Sequence, residues 1–348
     1  MRILVTGGCG FIGSGFLRYA LAQDGVERVV NLDALTYSGR LENVAELEGD
    51  AHFRNVVGDI TDADLVSKLM QEEDPTHVVH FAAESHVDRS LFAARCFVST
   101  NIDGTLCLLE ATRARQEATG KELRFLQIST DEVYGDLETE EDFFVETMPL
   151  DPRNPYSATK AGADLLALAF ARTHELWLVV TRSSNNYGPR QFPEKLIPLM
   201  ITNALEGKQL PVYGDGKNVR DWLWVDDNCA GVWAALTRGK PGEAYNLGGA
   251  SERQNLDVVK GILAALDKPE SMITYVKDRP GHDRRYAIDF SKAERELGFR
   301  PKMTFEQGLE RTVAWYRDHS DWWRKLKGAS FQDYYREHYG KLGLKSEG

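Results

Sequence analysis

Two acids stand side by side in STDEVYG (129–135): Asp131 and Glu132, flanked by Thr130 and Tyr134. They follow RFLQI, a short apolar run of the kind that forms a buried strand. Successive strand residues point to opposite faces, so both acids serve one site only if the chain has left the strand by Asp131. A carboxyl pair suits general acid–base work, one member giving a proton and the other taking one. A second pair has helical spacing. Tyr156 and Lys160, in PYSATK, lie four residues apart on the opening turn of a helix and share a face. An ammonium beside a phenol lowers the phenol's pKa, which makes Tyr156 a base for a hydroxyl and leaves Lys160 to hold a ribose. Tyr213 and Lys217 repeat the spacing but enclose Gly-Asp-Gly, a turn, and share no helix face. The third feature is TGGCGFIG (6–13), with Gly7, Gly10 and Gly13 between the strand RILVT and the helix IGSGFLRYAL. That context is the one in which such glycines admit a pyrophosphate to a helix N-terminus, against a plain packing turn. Asp33 ends the next apolar run, VVNLD. A carboxylate there accepts from a ribose 2′-OH and repels a 2′-phosphate, which favours NAD over NADP. Asp59, in VVGDI, is placed to reach the adenine, although a helix N-cap at Thr61 accounts for the segment equally well.

The elements that position these residues alternate. Strands are expected at RILVT (2–6), RVVNL (28–32), FRNVV (53–57), HVVHF (77–81), RFLQIS (124–129) and WLVVTR (177–182), with helical stretches between them. Continuous apolar strands joined by helical crossovers imply α/β architecture: a Rossmann-type, doubly wound parallel sheet covered on both faces. From about Asn185 onward Gly, Pro, Trp and charged residues break the rhythm. The expected division is a dinucleotide-binding domain over 1–184, with 221–248 returning to it, and a smaller mixed α/β substrate-binding lobe over 185–220 and 249–348.

A chain of 348 residues with net charge −11 disfavours nucleic acid, which needs an electropositive face. A local basic pocket for a diphosphate remains open to it: Lys195, Arg220, Arg279, Arg284 and Arg285 offer donors, Arg220 first among them. Cys9, Cys96, Cys107 and Cys229 show no C-x-x-C pairing, and His77 and His80 share one strand with no third ligand suggested, so no metal site is expected. No apolar stretch is long enough to span a membrane, and MRILVTGG enters a strand at once without a basic leader. The expected setting is the cytoplasm.

Taken together, TGGCGFIGS, LDALTYSG, FAAESHVDRS, STDEVYG, PYSATKAGADLL, SNNYGPRQFPEKLIP, GDGKNVRDWLWVDD and DRPGHDRRYAID resemble the extended short-chain dehydrogenase/reductase family, and within it the nucleotide-sugar 4,6-dehydratases. The resemblance implies NAD, a nucleotide-diphosphate sugar and a reaction in three stages: oxidation at C4, loss of water across C5 and C6, and hydride return to C6. It implies Tyr156 as base at the 4-OH with Thr130 and Lys160 assisting, Glu132 as base at C5 and Asp131 as acid at the C6 hydroxyl. Implied cofactor contacts are Phe11, Ile12, Asp33, Asp59, Ile60, Ala82, Ala83, Thr100, Tyr156, Lys160 and Asn186. Implied substrate contacts are Ser85, Thr130, Asn185, Lys195, Leu196, Pro211, Tyr213, Arg220, Asn255, Arg279 and His282. A thymidine nucleotide is implied by the resemblance alone, as is a homodimer through the helices containing 100–115 and 156–173. Ala34 departs from the pattern, because many members carry Lys there. A 4-epimerase would share Tyr156, Lys160 and NAD but has no use for acids at C5 and C6, and a non-catalytic NAD-sensing module would not need the five reactive side chains.

Overall fold

The computed structural model describes residues 1–278 and 281–344. Among these the chain forms strands β1 (Arg2–Thr6), β2 (Arg28–Asp33), β3 (Phe53–Val57), β4 (His77–His80), β5 (Arg124–Thr130), β6 (Trp177–Ser183), β7 (Asn185–Tyr187), β8 (Leu210–Tyr213), β9 (Val219–Trp224), β10 (Ala244–Leu247), β11 (Glu252–Gln254) and β12 (Ile273–Val276). Seven pair in parallel in the order β10-β6-β5-β4-β1-β2-β3. The six strands expected from apolar runs are all in this sheet. Their side chains divide between two cores. Ile3, Val5, Val79, Leu126 and Val179 pack with helices Phe11–Leu21 and Val225–Arg238. Leu4, Val78, Phe125, Leu178 and Val180 pack on the other face, with helices Ala63–Glu73, Gly104–Thr119 and Pro155–Thr173. The inner strands are apolar on both sides because both sides are covered, whereas edge strand β3 stays partly exposed.

A second region carries the three-stranded sheet β11-β9-β7 and the pair β12-β8. Helices Leu196–Leu205, Asn255–Ala265 and Phe305–Asp318 enclose its core, which includes Tyr187, Ile201, Ile262, Tyr316 and Trp323. Helix Val225–Arg238 covers the large sheet and β10 extends it beyond β6. One segment differs from the expected division. Ala293, Leu297 and Phe299 pack into the first core with Val232 and Leu247, although 249–348 is expected wholly in the second lobe. Short helix Ser291–Leu297 supplies two of these apolar residues, too few to have been assigned from sequence.

His80 is a core residue. Its ring bridges the hydroxyls of Thr6 (2.7 Å) and Thr105 (3.0 Å), and burial pushes its pKa down to about 3.

Candidate active site

Strand order reverses between β1 and β4, and a cleft opens there along the carboxyl edge, where open α/β sheets hold ligands. The glycine loop forms one wall. Gly7 has φ +73°, and a Cβ on it would lie 2.5 Å from the Ala82 amide nitrogen. A Cβ on Gly13 would lie 2.2 Å from the Gly7 carbonyl. Gly10 is the N-cap of helix Phe11–Leu21. Backbone amides of Cys9 and Leu35 hold the Asp33 carboxylate, each at 2.8 Å. Ala34 beside it is exposed. Asp59 accepts from the amide and hydroxyl of Thr61, both at 2.9 Å. The following helix is capped by Asp62, not Thr61: Asp62 accepts from the Leu65 amide at 3.0 Å. A cradle that any side chain would fill, a helix N-terminus and a fixed carboxylate at the end of β2 together fit a dinucleotide.

At the end of β5 the chain leaves the strand at Thr130 and turns through the short 3-10 helix Asp131–Tyr134. The Thr130 hydroxyl caps it, accepting from the Glu132 amide at 3.3 Å and donating to Asp131 Oδ1 at 3.2 Å. That turn frees both acids from strand alternation, and both line the cleft. Burial first, then the neighbouring Glu132, pushes the Asp131 pKa well above the carboxylate range.

Opposite, helix Pro155–Thr173 begins with Pro155 at its first position and a capping box between Asn154 and Ser157. This start fixes Tyr156 and Lys160 on one face, both buried and both lining the cleft. The expected lowering of the phenol's pKa is not what the geometry produces. Burial, and next Glu132, raise Tyr156; the Thr130 hydroxyl works the other way. Lys160 points its ammonium at the Ile128 carbonyl, and burial brings it down to about 8.

Behind this pair lies a buried network that the sequence did not suggest. Asp164, one turn beyond Lys160, accepts from Ser129 Oγ (2.9 Å) and Arg182 Nε (3.0 Å). Arg182 Nη1 also donates to the Tyr134 hydroxyl at 2.9 Å, which donates to Asn246 Oδ1 at 2.8 Å. Tyr134 closes the turn that bears the two acids, so the network ties that turn to the Lys160 helix. Extending Tyr-x-x-x-Lys by one more turn to Asp164 is the signal that could have found it.

The cleft brings together Gly7, Gly10, Phe11, Ile12, Gly13, Asp33, Asp59, Ile60, Ala82, Ala83, Ser85, Thr100, Thr130, Asp131, Glu132, Tyr156, Lys160, Asn185, Asn186 and Lys195. Lys195 donates to the Ser85 carbonyl at 2.8 Å, joining the two lobes. Nothing among the described residues donates to the buried Oδ1 atoms of Asn185 and Asn186. Tyr37, Glu84 and Glu194 line the cleft as well; Glu194, the acid beside Lys195 in PEKL, was the one a charge-based search could have flagged.

Leu196, Pro211, Tyr213, Arg220, Asn255 and His282 do not line it. They belong to the second lobe, Tyr213 reaching across to Asp88 at 3.3 Å. Leu196 and Asn255 open helices, and Pro211 pairs with Thr274 across β8 and β12. Arg220 donates to the Asp283 carbonyl at 2.8 Å and lies over the Tyr286 ring, its charge still reaching Asp131. His282 meets Asp278 at 2.6 Å. Of the other expected cations, Arg284 pairs with Asp215 and Arg285 with Glu252, each at 2.9 Å. Arg279 lies outside the described residues.

Residues 4–312 match the family model described as GDP-mannose 4,6 dehydratase. Over 342 residues the chain is 53% identical to the dTDP-glucose 4,6-dehydratase of Xanthomonas campestris pv. campestris (strain B100), covering 94% of this chain and 97% of that one. The chain belongs to the dTDP-glucose 4,6-dehydratase family. A second family member, from Actinoplanes sp. (strain ATCC 31044 / CBS 674.73 / SE50/110), is 51% identical, over 93% of this chain and 100% of its own. Among solved structures, the Streptomyces venezuelae dTDP-glucose 4,6-dehydratase with NAD and TYD bound superposes with a TM-score of 0.90 at 47% identity, covering 94% of this chain and 100% of that one. A UDP-glucose 4-epimerase from Thermus thermophilus in complex with NAD has a TM-score of 0.83 at 32% identity, over 92% of this chain and 100% of that one. The fold is thus shared with epimerases, and the family is separated from them by sequence.

Proposed function

We propose that this chain converts dTDP-glucose to dTDP-4-keto-6-deoxyglucose, with NAD held in the glycine-loop end of the cleft. The observation that carries this reading is the carboxyl pair Asp131 and Glu132, turned off the end of β5 into the cleft shared with Tyr156, Lys160 and the glycine cradle. NAD bound there supplies a hydride acceptor for C4 and a hydride donor for C6.

The side chains manage the protons. Tyr156 takes the proton of the 4-OH, passed along the hydrogen bond with Thr130. Its raised pKa makes the phenol a strong base once ionised, and the hydrogen bond with Thr130 favours that ionisation. The ketone left at C4 acidifies the C5 hydrogen, which Glu132 removes. The C5 electron pair forms the C5–C6 double bond as the C6–O bond breaks, and Asp131 protonates the departing oxygen, so one water leaves. Two carboxyls side by side hold one proton more readily than none, because like charges that close cannot both ionise cheaply. Asp131, whose carboxyl burial and then Glu132 push toward the protonated form, is the acid. Glu132 then returns its proton to C5.

In this reading residues 1–184 with 221–248 bind NAD, and 185–220 with 249–348 bind the nucleotide sugar. The working unit is a cytoplasmic homodimer joined through helices Gly104–Thr119 and Pro155–Thr173; Leu165, 59% exposed on the second of these, supports that contact. Light scattering during gel filtration measures it. No helix among the described residues is long and apolar enough to cross a membrane.

The test is incubation of the purified protein with dTDP-, UDP-, CDP- and GDP-glucose, followed by mass spectrometry. Loss of one water from dTDP-glucose is expected. An isomer of unchanged mass would replace this reading with epimerisation, and no change in any of the four would remove it.

A further inference from the structure

Helix Ala329–Lys341 takes no part in the chemistry above, yet it touches both halves of the molecule. Its inward stripe is Phe331, Tyr334, Tyr335, His338 and Tyr339, at the spacing of one helix face. Both ends are fixed to the second lobe. Just before it, the buried ammonium of Lys327 donates to Thr202 (3.2 Å), Asn203 (3.0 Å) and Glu206 (2.7 Å). Just after it, the Leu342 carbonyl accepts from the Lys277 amide at 2.9 Å.

Other contacts reach the first lobe. His338 Nε2 lies 2.8 Å from the Tyr213 hydroxyl and 3.5 Å from Asp88 Oδ2, and Tyr213 donates to Asp88 at 3.3 Å. Tyr213 belongs to β8, and Asp88 to the short helix Val87–Ser90 that follows β4. Three separate parts of the fold therefore meet at one imidazole. One turn earlier, the Arg89 guanidinium lies between the rings of Tyr334 (4.9 Å) and Tyr37 (4.1 Å) and donates to Glu194 at 3.3 Å. Tyr37 and Glu194 both line the cleft. A helix serving only to cover apolar surface would gain nothing from a histidine and an aspartate at 11% and 7% side-chain exposure, because burying polar groups is costly.

We propose that this helix is a positioning element for the nucleotide end of the substrate, with His338 the positioning residue that holds Tyr213 and, with Asp88, draws the second lobe against the first. The inference rests on the dehydratase reading, whose resemblance implies Tyr213 as a substrate contact, and on Tyr37 and Glu194 of the cleft wall, which the helix reaches through Arg89.

The test compares His338→Leu, which removes the ring nitrogens, with His338→Gln, whose side-chain amide reaches about as far as Nε2. His338→Leu raises KM for dTDP-glucose and weakens dTDP binding in calorimetry by about five- to tenfold, the equivalent of one net hydrogen bond. Its kcat stays within about twofold, because uniform binding and not transition-state contact is lost. His338→Gln recovers most of the affinity. In the double variant with Tyr213→Phe, the two effects fail to add, as they must if one residue acts through the other. Unchanged KM and dTDP affinity in His338→Leu, an equal defect in His338→Gln, or additive effects in the double variant each overturn the proposal. Wild-type protein that binds dTDP but turns over no dTDP-glucose would instead sink the dehydratase reading, and the calorimetric comparison would still decide the role of His338.

Discussion

Replacing Glu132 by Gln keeps the length of the side chain and leaves the turn intact, because the turn is capped through the backbone: the Thr130 hydroxyl accepts from the Glu132 amide at 3.3 Å. The proton acceptor alone is lost. A positioned base contributes about 10²–10⁴ in rate, or roughly 3–5 kcal/mol of barrier, so water loss should slow by that factor. Oxidation at C4, assigned in the proposed mechanism to Thr130, Tyr156 and Lys160, should survive. A second effect has a worked sign. After burial, Glu132 is the largest influence raising the Tyr156 pKa. A neutral amide therefore lets the phenol ionise at lower pH, and the pH dependence of C4 oxidation shifts toward acid. In single turnovers with dTDP-glucose, the absorbance of reduced nicotinamide should rise and persist in the variant. Mass spectrometry should find no water lost, and in deuterated water no deuterium should enter C5. Wild-type rates of water loss would refute the assignment of the base. An unmoved pH profile for nicotinamide reduction would refute the electrostatic link to Tyr156.

Three further outcomes follow from the geometry. Burial brings Lys160 down to about 8, so its ammonium is lost as pH rises through that value and C4 oxidation falls with it; arginine stays charged, and in Lys160→Arg the alkaline limb should move upward, whereas a limb that stays put would exclude Lys160 as its source. A Cβ at residue 13 meets the Gly7 carbonyl at 2.2 Å, so Gly13→Ala should purify without NAD and lose roughly 1–3 kcal/mol of stability, read from nicotinamide released on denaturation and from urea midpoints. Arg182→Met leaves the carboxylate of Asp164 buried without its guanidinium, and should cost about 3–5 kcal/mol in urea unfolding; a loss under about 1 kcal/mol would mean that Ser129 alone satisfies it.

The large sheet was legible because five of its first six strands are buried apolar runs, a pattern that needs no knowledge of its neighbours, and the edge strand Phe53–Val57 keeps enough of it to be read. The second region was not. Asn185–Tyr187 and Glu252–Gln254 are short and polar, the other strands there are short, and all pair only with partners far along the chain, as Glu252 does with Asp221. The site divides the same way. Gly10, Asp131, Tyr156 and Lys160 announce themselves through local spacing. Asp164 owes its importance to Arg182 and Ser129, and His338 to Tyr213 and Asp88, pairings that only the tertiary fold creates. The direction of the Tyr156 pKa was also beyond reach, since it depends on how deeply the phenol is buried and on Glu132, 24 positions earlier in the chain.

The way the chain passes back and forth between the two cores bears on how the molecule is made. When β6 emerges from the ribosome its outer edge has no partner, and the strand that covers it, β10, follows about 60 residues later, roughly 3–12 s at ordinary rates of synthesis. The first core also waits for Ala293 and Leu297, and the second for Tyr316 and Trp323. A nascent chain of this kind presents an open sheet edge until β10 is made, and unfinished cores until nearly all of it has been translated. A chain cut short before Ala293 leaves both cores unfinished, so a truncated transcript should yield aggregate and not a half-enzyme that still binds NAD.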